Sequence, residues 1–226
     1  MTLGNFRKDY IGEYILTKTT IRDGKKIQER EWVDNPIKNQ HISNRASVLG
    51  SSIDKDYLNF EFLRRHRGGL LASKKLQIYG TYDLLEHSYM NFMVCLDKDN
   101  LPNLIERNYD EETIVYTSVK NCLRYPGHFY IVPHTPQLDE RAMILYCAAF
   151  DGHNEIFMHG YHYNDSNRDD QSLQVKQIGA IFNAYPSIEF NFVGHRGAVP
   201  KYWEGCDNFS YMSYPEWVSH CDIGFV

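Results

Sequence analysis

The chain has 226 residues, 42% of them hydrophobic, with 17 Tyr, 12 Phe and a formal net charge of -5. This is enough apolar and aromatic surface for one main domain with a core of its own, and it excludes disordered, collagen-like and strongly basic nucleic-acid-coating classes. Five cysteines without a C-x-x-C pair exclude a disulfide framework or zinc ribbon and point to a reducing cytoplasmic compartment. No apolar run reaches the ~20 residues of a membrane span.

Residues 14–33, "YILTKTTIRDGKKIQEREWV", alternate apolar and polar positions on both sides of Asp23-Gly24, which predicts a β-hairpin. The polar stretch 34–45 follows as a linker that Pro36 keeps from becoming a helix. An N-terminal hairpin extension is therefore expected over 1–44, and a nucleotide-binding α/β domain over 45–226. From Ala46 onward, short apolar runs alternate with helical stretches. Strands are predicted at 46–50, 75–80, 91–97, 113–119, 128–133, 155–161 and 188–194. Several are apolar on successive residues, as strands covered on both faces must be. A helix is predicted over 137–152, "QLDERAMILYCAAFDG", with acids in its first turn and Gly152 closing it, and another within 170–184. The expectation is a Rossmann-like, mostly parallel sheet of six or seven strands with flanking helices.

In such a sheet, ligands sit at the carboxyl ends of the strands. After the first strand, Gly50, Ser51 and Ser52 either approach a phosphate or form an ordinary turn and N-cap. The cationic run after them, Arg64 to His66, is expected to complement the C-terminal end of a helix, while Arg67, Lys74 and Lys75 stay open to a ligand role. Thr81, Tyr82 and Asp83 follow the second strand, where a base or ribose could be recognised. Asp97 and Asp99 follow the third, where they are either solvated strand-end acids or a pair able to hold Mg against a diphosphate. The densest mixture is "GYHYND": Gly160, Tyr161, His162, Tyr163, Asn164 and Asp165 combine rings, imidazole, amide and carboxylate. His162 and Asp165 are candidates for proton transfer, whereas His159 is expected in the core. After the last strand, His195 and Arg196 could meet a diphosphate. No spacing fixes a protein metal site.

Two blocks give the chain a resemblance, over about residues 45–200, to the superfamily of bacterial sialyltransferases of glycosyltransferase family 42 and pterin diphosphokinase-like proteins. In "VLGSSIDKDY", Gly50 and Ser52 match that family's Gly-Asn-Gly-Pro-Ser loop, with Leu49 and Ser51 in place of its Asn and Pro. In "ILYCAAFDGHNEIFMHGYHY", Gly152, Glu155, Ile156, Gly160 and Tyr163 match or substitute conservatively, and His162 replaces the family's acid. Glu140-Arg141 stands where the family has Ser-Gly, and His195 is a loose counterpart of its catalytic histidine. The lead-in at 31–52 is similar to that of uncharacterised phage-encoded proteins of this type. The resemblance implies a nucleotide-sugar donor and transfer to a glycan or a modified DNA base; a homo-oligomer is a separate expectation, because an isolated hairpin such as 14–33 is marginal in water and would pack on another subunit or a long acceptor. Diphosphate transfer from ATP and a non-catalytic binding protein on a nucleotide-type fold are the alternatives.

Overall fold

The computed structural model describes residues 12–39, 43–50, 58–68, 76–86, 90–133, 137–162 and 168–223. Strands β1 (Tyr14–Arg22) and β2 (Lys25–Val33) form the expected hairpin, pairing antiparallel from Tyr14↔Val33 to Arg22↔Lys25. Asp23 and Gly24 both have positive φ, 52° and 74°. That turn geometry matches the twist of the strands, and Asp-Gly adopts it at low cost. The ribbon is exposed along nearly its whole length.

Among the described residues the body is one parallel sheet of eight strands: β3 (Arg45–Leu49), β4 (Gln77–Thr81), β5 (Phe92–Val94), β6 (Ile114–Thr117), β7 (Tyr130–Ile131), β8 (Glu155–His159), β9 (Glu189–Val193) and β10 (Phe209–Met212). Their spatial order is β10-β9-β8-β3-β4-β5-β6-β7. The sheet therefore has one strand more than the sequence pattern predicts. The addition is β10, four partly exposed residues at the sheet edge whose pattern resembles a loop.

Seven helices accompany the strands among the described residues: α1 (Phe60–His66), α2 (Leu101–Glu106), α3 (Tyr109–Glu112), α4 (Val119–Arg124), α5 (Glu140–Asp151), α6 (Arg168–Ala184) and α7 (Tyr214–Ile223). Alternation along each strand sends neighbours to opposite faces. Val48, Tyr79, Phe92, Met158 and Phe192 pack with α5 and α6, whereas Leu49, Ile78, Met93, Phe157 and Val193 pack with α1, α2 and α7. Both faces are covered, which is why the strands read as continuous apolar runs.

Helix α5 is buried from Ala142 to Asp151 because the chain ahead of β3 covers its outer side. The Asn39 amide donates to the Phe150 carbonyl at 3.0 Å, and a Cβ on Gly12 would fall 2.3 Å from the Phe150 ring. Asp139 caps the helix by accepting from the Ala142 amide at 2.9 Å, and Gly152 ends it with φ 96°. Beneath α5 lies a buried polar cluster. Tyr79 donates to Asp151 Oδ2 at 2.7 Å and lies 2.8 Å from His153 Nε2, while His153 Nδ1 lies 2.7 Å from the Ser43 carbonyl. These bonds tie the end of α5 to β4 and to the entry of β3.

Among the described residues, no helix is long and apolar enough to cross a membrane. Cys95 and Cys147 are buried; burial is the chief cause that holds both thiols protonated, pushing Cys95 up to about 12.

Candidate functional site

The chain leaves β3 and builds β4 to β7 in one direction, then returns to the other side of β3 for β8, β9 and β10. The order reverses between β3 and β8, and loops leaving the carboxyl ends of two such strands diverge to open a crevice. The two sequence blocks that carry the resemblance contain the ends of these two strands. Where these two strands end, their glycines touch. Gly50 N donates to the His159 carbonyl at 2.7 Å, and a Cβ on Gly50 would lie 2.8 Å from the Gly160 carbonyl oxygen. Gly160 has φ 71°, a conformation a side chain would strain. Ser51, Ser52, Tyr163, Asn164 and Asp165 lie outside the described residues.

Tyr161 does not stand in the crevice as a stacking ring. It is fully buried, and its hydroxyl donates to the Arg141 carbonyl at 3.0 Å. The left-handed turn at Gly160 sends the next side chain inward, under the start of α5. His162 is half-buried between the ends of β8 and β9. A Cβ on Gly194 would come within 2.7 Å of its Cε1, and its ring meets Phe192 edge-on at 5.5 Å. His159 is a core histidine as expected, edge-on to Trp217 at 4.5 Å. Burial, and secondarily the nearby His162, lowers its pKa to about 3, so it stays neutral at ordinary pH.

His195 and Arg196 follow β9 and are exposed. Arg196 lines an open pocket beside β10 with Val199, Glu204, Phe209, Ser210 and Tyr211, two strands away from the point where the sheet order reverses.

On the other side of β3, Thr81 is buried at the end of β4. The Tyr82 hydroxyl accepts from Asn103 Nδ2 at 2.6 Å, and Asp83 is exposed. Asp83 acts electrostatically on Glu140 at the start of α5, which the sequence marks only as a first-turn acid and a family substitution. Burial raises the Glu140 pKa, and the charges of Asp83, Asp97 and Asp139 raise it further, while a 3.3 Å bond from the Leu96 amide opposes them. Burial likewise raises the neighbouring Asp139, so the start of α5 holds two carboxyl groups shifted toward the protonated form. The sequence signal of Glu140 is only an acid at a helix start, which a dipole explains equally well.

Asp97 accepts from the Asp99 amide at 3.0 Å in a local turn, and both side chains are exposed. Among the described residues, no three His, Cys, Asp or Glu side chains gather to hold a metal ion. Asp97 and Asp99 would need a substrate's phosphates to complete a Mg shell.

The cationic run of α1 is used structurally. Arg64 pairs with Glu61 at 2.7 Å, His66 faces Asp222 at 3.2 Å, and Arg67 donates to the Met90 carbonyl at 3.1 Å. Arg67 thereby ties its loop to the sheet; Lys74 and Lys75 lie outside the described residues.

No family model and no curated protein matches the chain. Among solved structures, the sialyltransferase CstII from Campylobacter jejuni in complex with CMP-3FNeuAc is similar, at TM-score 0.30 and 13% identity over 66% of this chain and 79% of that one. Its complex with cytidine-5'-monophosphate gives a TM-score of 0.29 at the same identity and coverage. At that level of likeness, the neighbour's donor and acceptor do not transfer to this chain.

Proposed function

We propose that the chain is a transferase that takes a nucleotide-sugar donor in the crevice between β3 and β8 and passes the sugar to an acceptor hydroxyl on a glycan or nucleic-acid base. The observation that carries this reading is the contact of Gly50 with Gly160 at the point where the sheet order reverses. Neither glycine carries a Cβ at this point, as close approach of a diphosphate to backbone requires. Gly50 to Ser52 would face the phosphates, and Tyr82 and Asp83 the nucleoside. His162 or Asp165 would take the acceptor proton, with His195 as the other candidate base. The acceptor oxygen would bond to the anomeric carbon as the bond from that carbon to the phosphate oxygen breaks, and the nucleotide would leave.

The test is to incubate the full chain with CMP-, UDP- and GDP-sugars and with ATP and GTP, each with and without Mg, and to measure released nucleotide. Turnover of a nucleotide sugar is expected. His162→Ala or Asp165→Ala should lower that turnover by roughly 10²–10⁴-fold with donor affinity little changed. Consumption of a triphosphate alone, dependent on Mg, would replace this reading with diphosphate transfer. Nucleotide binding without turnover of any substrate would replace it with a binding protein.

A further inference from the structure

Between β9 and β10 the chain loops out through two short 3-10 turns, Arg196–Ala198 and Trp203–Gly205. Trp203 fixes this loop. Its ring is fully buried, and its Nε1 donates to the Val175 carbonyl of α6 at 2.9 Å. The loop and the edge strand enclose an open pocket of about 510 Å³, lined by Arg196, Val199, Glu204, Phe209, Ser210 and Tyr211. That volume lies within the range of small-molecule sites. Its aromatic walls are held in place: Phe209 stacks on Phe182 at 5.4 Å, and Tyr211 donates its hydroxyl to the Gly194 carbonyl at 3.0 Å.

The two charged residues of this pocket, Arg196 and Glu204, form no ion pair with each other or with any other described residue. Both are solvated and held on a loop that Trp203 anchors. A purely anionic ligand would meet the Glu204 carboxylate, and a purely cationic one the Arg196 guanidinium. A molecule with one charge of each sign satisfies both, with the planar guanidinium fork suited to a carboxylate.

We propose that this pocket binds a small zwitterion, an α-amino acid with an apolar side chain: carboxylate on Arg196, ammonium on Glu204, and side chain against Val199, Phe209 and Tyr211. The site is separate from the crevice and does not depend on the transferase reading. Because both charged groups are solvated, the expected affinity is modest, with Kd on the order of 1 mM for a ligand of about a dozen heavy atoms.

The test is titration of the full chain with L-phenylalanine, N-acetylphenylalanine, phenylalaninamide and inorganic pyrophosphate, followed by amide chemical shifts. L-Phenylalanine is expected to bind and to shift residues of the 196–211 segment. The acetyl and amide derivatives, each lacking one charge, are expected to bind about tenfold more weakly. In Arg196→Met the free acid should bind no better than its amide, and in Glu204→Gln no better than its acetyl derivative. Both positions are exposed, so an unchanged melting temperature confirms that the variants fold. The proposal fails if the derivatives bind as well as the free amino acid, if neither variant changes that ranking, or if phenylalanine produces no shifts at 10-fold the expected Kd. Preferential binding of pyrophosphate would also overturn it and make the pocket an anion subsite.

Discussion

Acidification should destabilise the protein through His159. Its folded pKa, lowered to about 3 chiefly by burial, lies well below the 6.5 of an unperturbed imidazole. Below pH 6.5 the unfolded chain accepts a proton that the folded chain refuses, so the stability from this residue is full above that pH and is lost as pH falls toward 3. The slope is about 1.4 kcal/mol per pH unit, which gives about 2 kcal/mol between pH 7 and pH 5. For a chain of this size that is roughly 4–8 °C in melting temperature. Other groups titrate in the same window, so the informative quantity is the difference between the parent and His159→Leu. The imidazole Nε2 is buried without a hydrogen-bond partner, so leucine removes no polar contact there and should be close to neutral at pH 7. Thermal unfolding followed by circular dichroism at pH 7, 6 and 5 measures both proteins. The parent should lose stability faster on acidification, and the gap between the two curves should grow by the stated amount. Equal losses in parent and variant would refute the assignment of a neutral, proton-refusing His159.

Tyr79→Phe should destabilise by roughly 2–4 kcal/mol in denaturant titrations, because it removes the hydroxyl shared by Asp151 and His153 and leaves two buried polar groups short of a partner. Gly50→Ala should cost roughly 1–3 kcal/mol and weaken nucleotide-sugar binding, since its Cβ would press on the Gly160 carbonyl; calorimetry of both properties checks it. Glu140→Gln should lower turnover and move the alkaline limb of its pH profile if the carboxyl group delivers a proton, whereas a structural role would change only the melting temperature. Asp97→Asn with Asp99→Asn should abolish any Mg stimulation of turnover while sparing metal-free turnover, as an assay with added chelator would show.

The strands and the main helix were legible in the sequence because their signals are local. Asp23-Gly24 sets the ribbon turn, Asp139 and Gly152 set the ends of α5, and unbroken apolar runs mark strands covered on both faces. Sequence alone also identified the two Gly-ended strands, because glycine after an apolar run marks a sharp exit from a sheet. It could not show that these two strands are neighbours. The pairing of β3 with β8 joins segments about 110 residues apart in the chain, and nothing local specifies which strand lies beside which. Tertiary structure also decided where individual side chains went. A left-handed turn at Gly160 put Tyr161 in the core, and the 196–204 loop carried Arg196 to a separate pocket. Asp83, Asp97 and Glu140 converge because parallel strands bring all their carboxyl ends to one edge, where the following helix begins. Local propensity determines the elements, whereas the proximity that shifts a pKa or opens a crevice exists only once long-range packing has fixed the order of the strands.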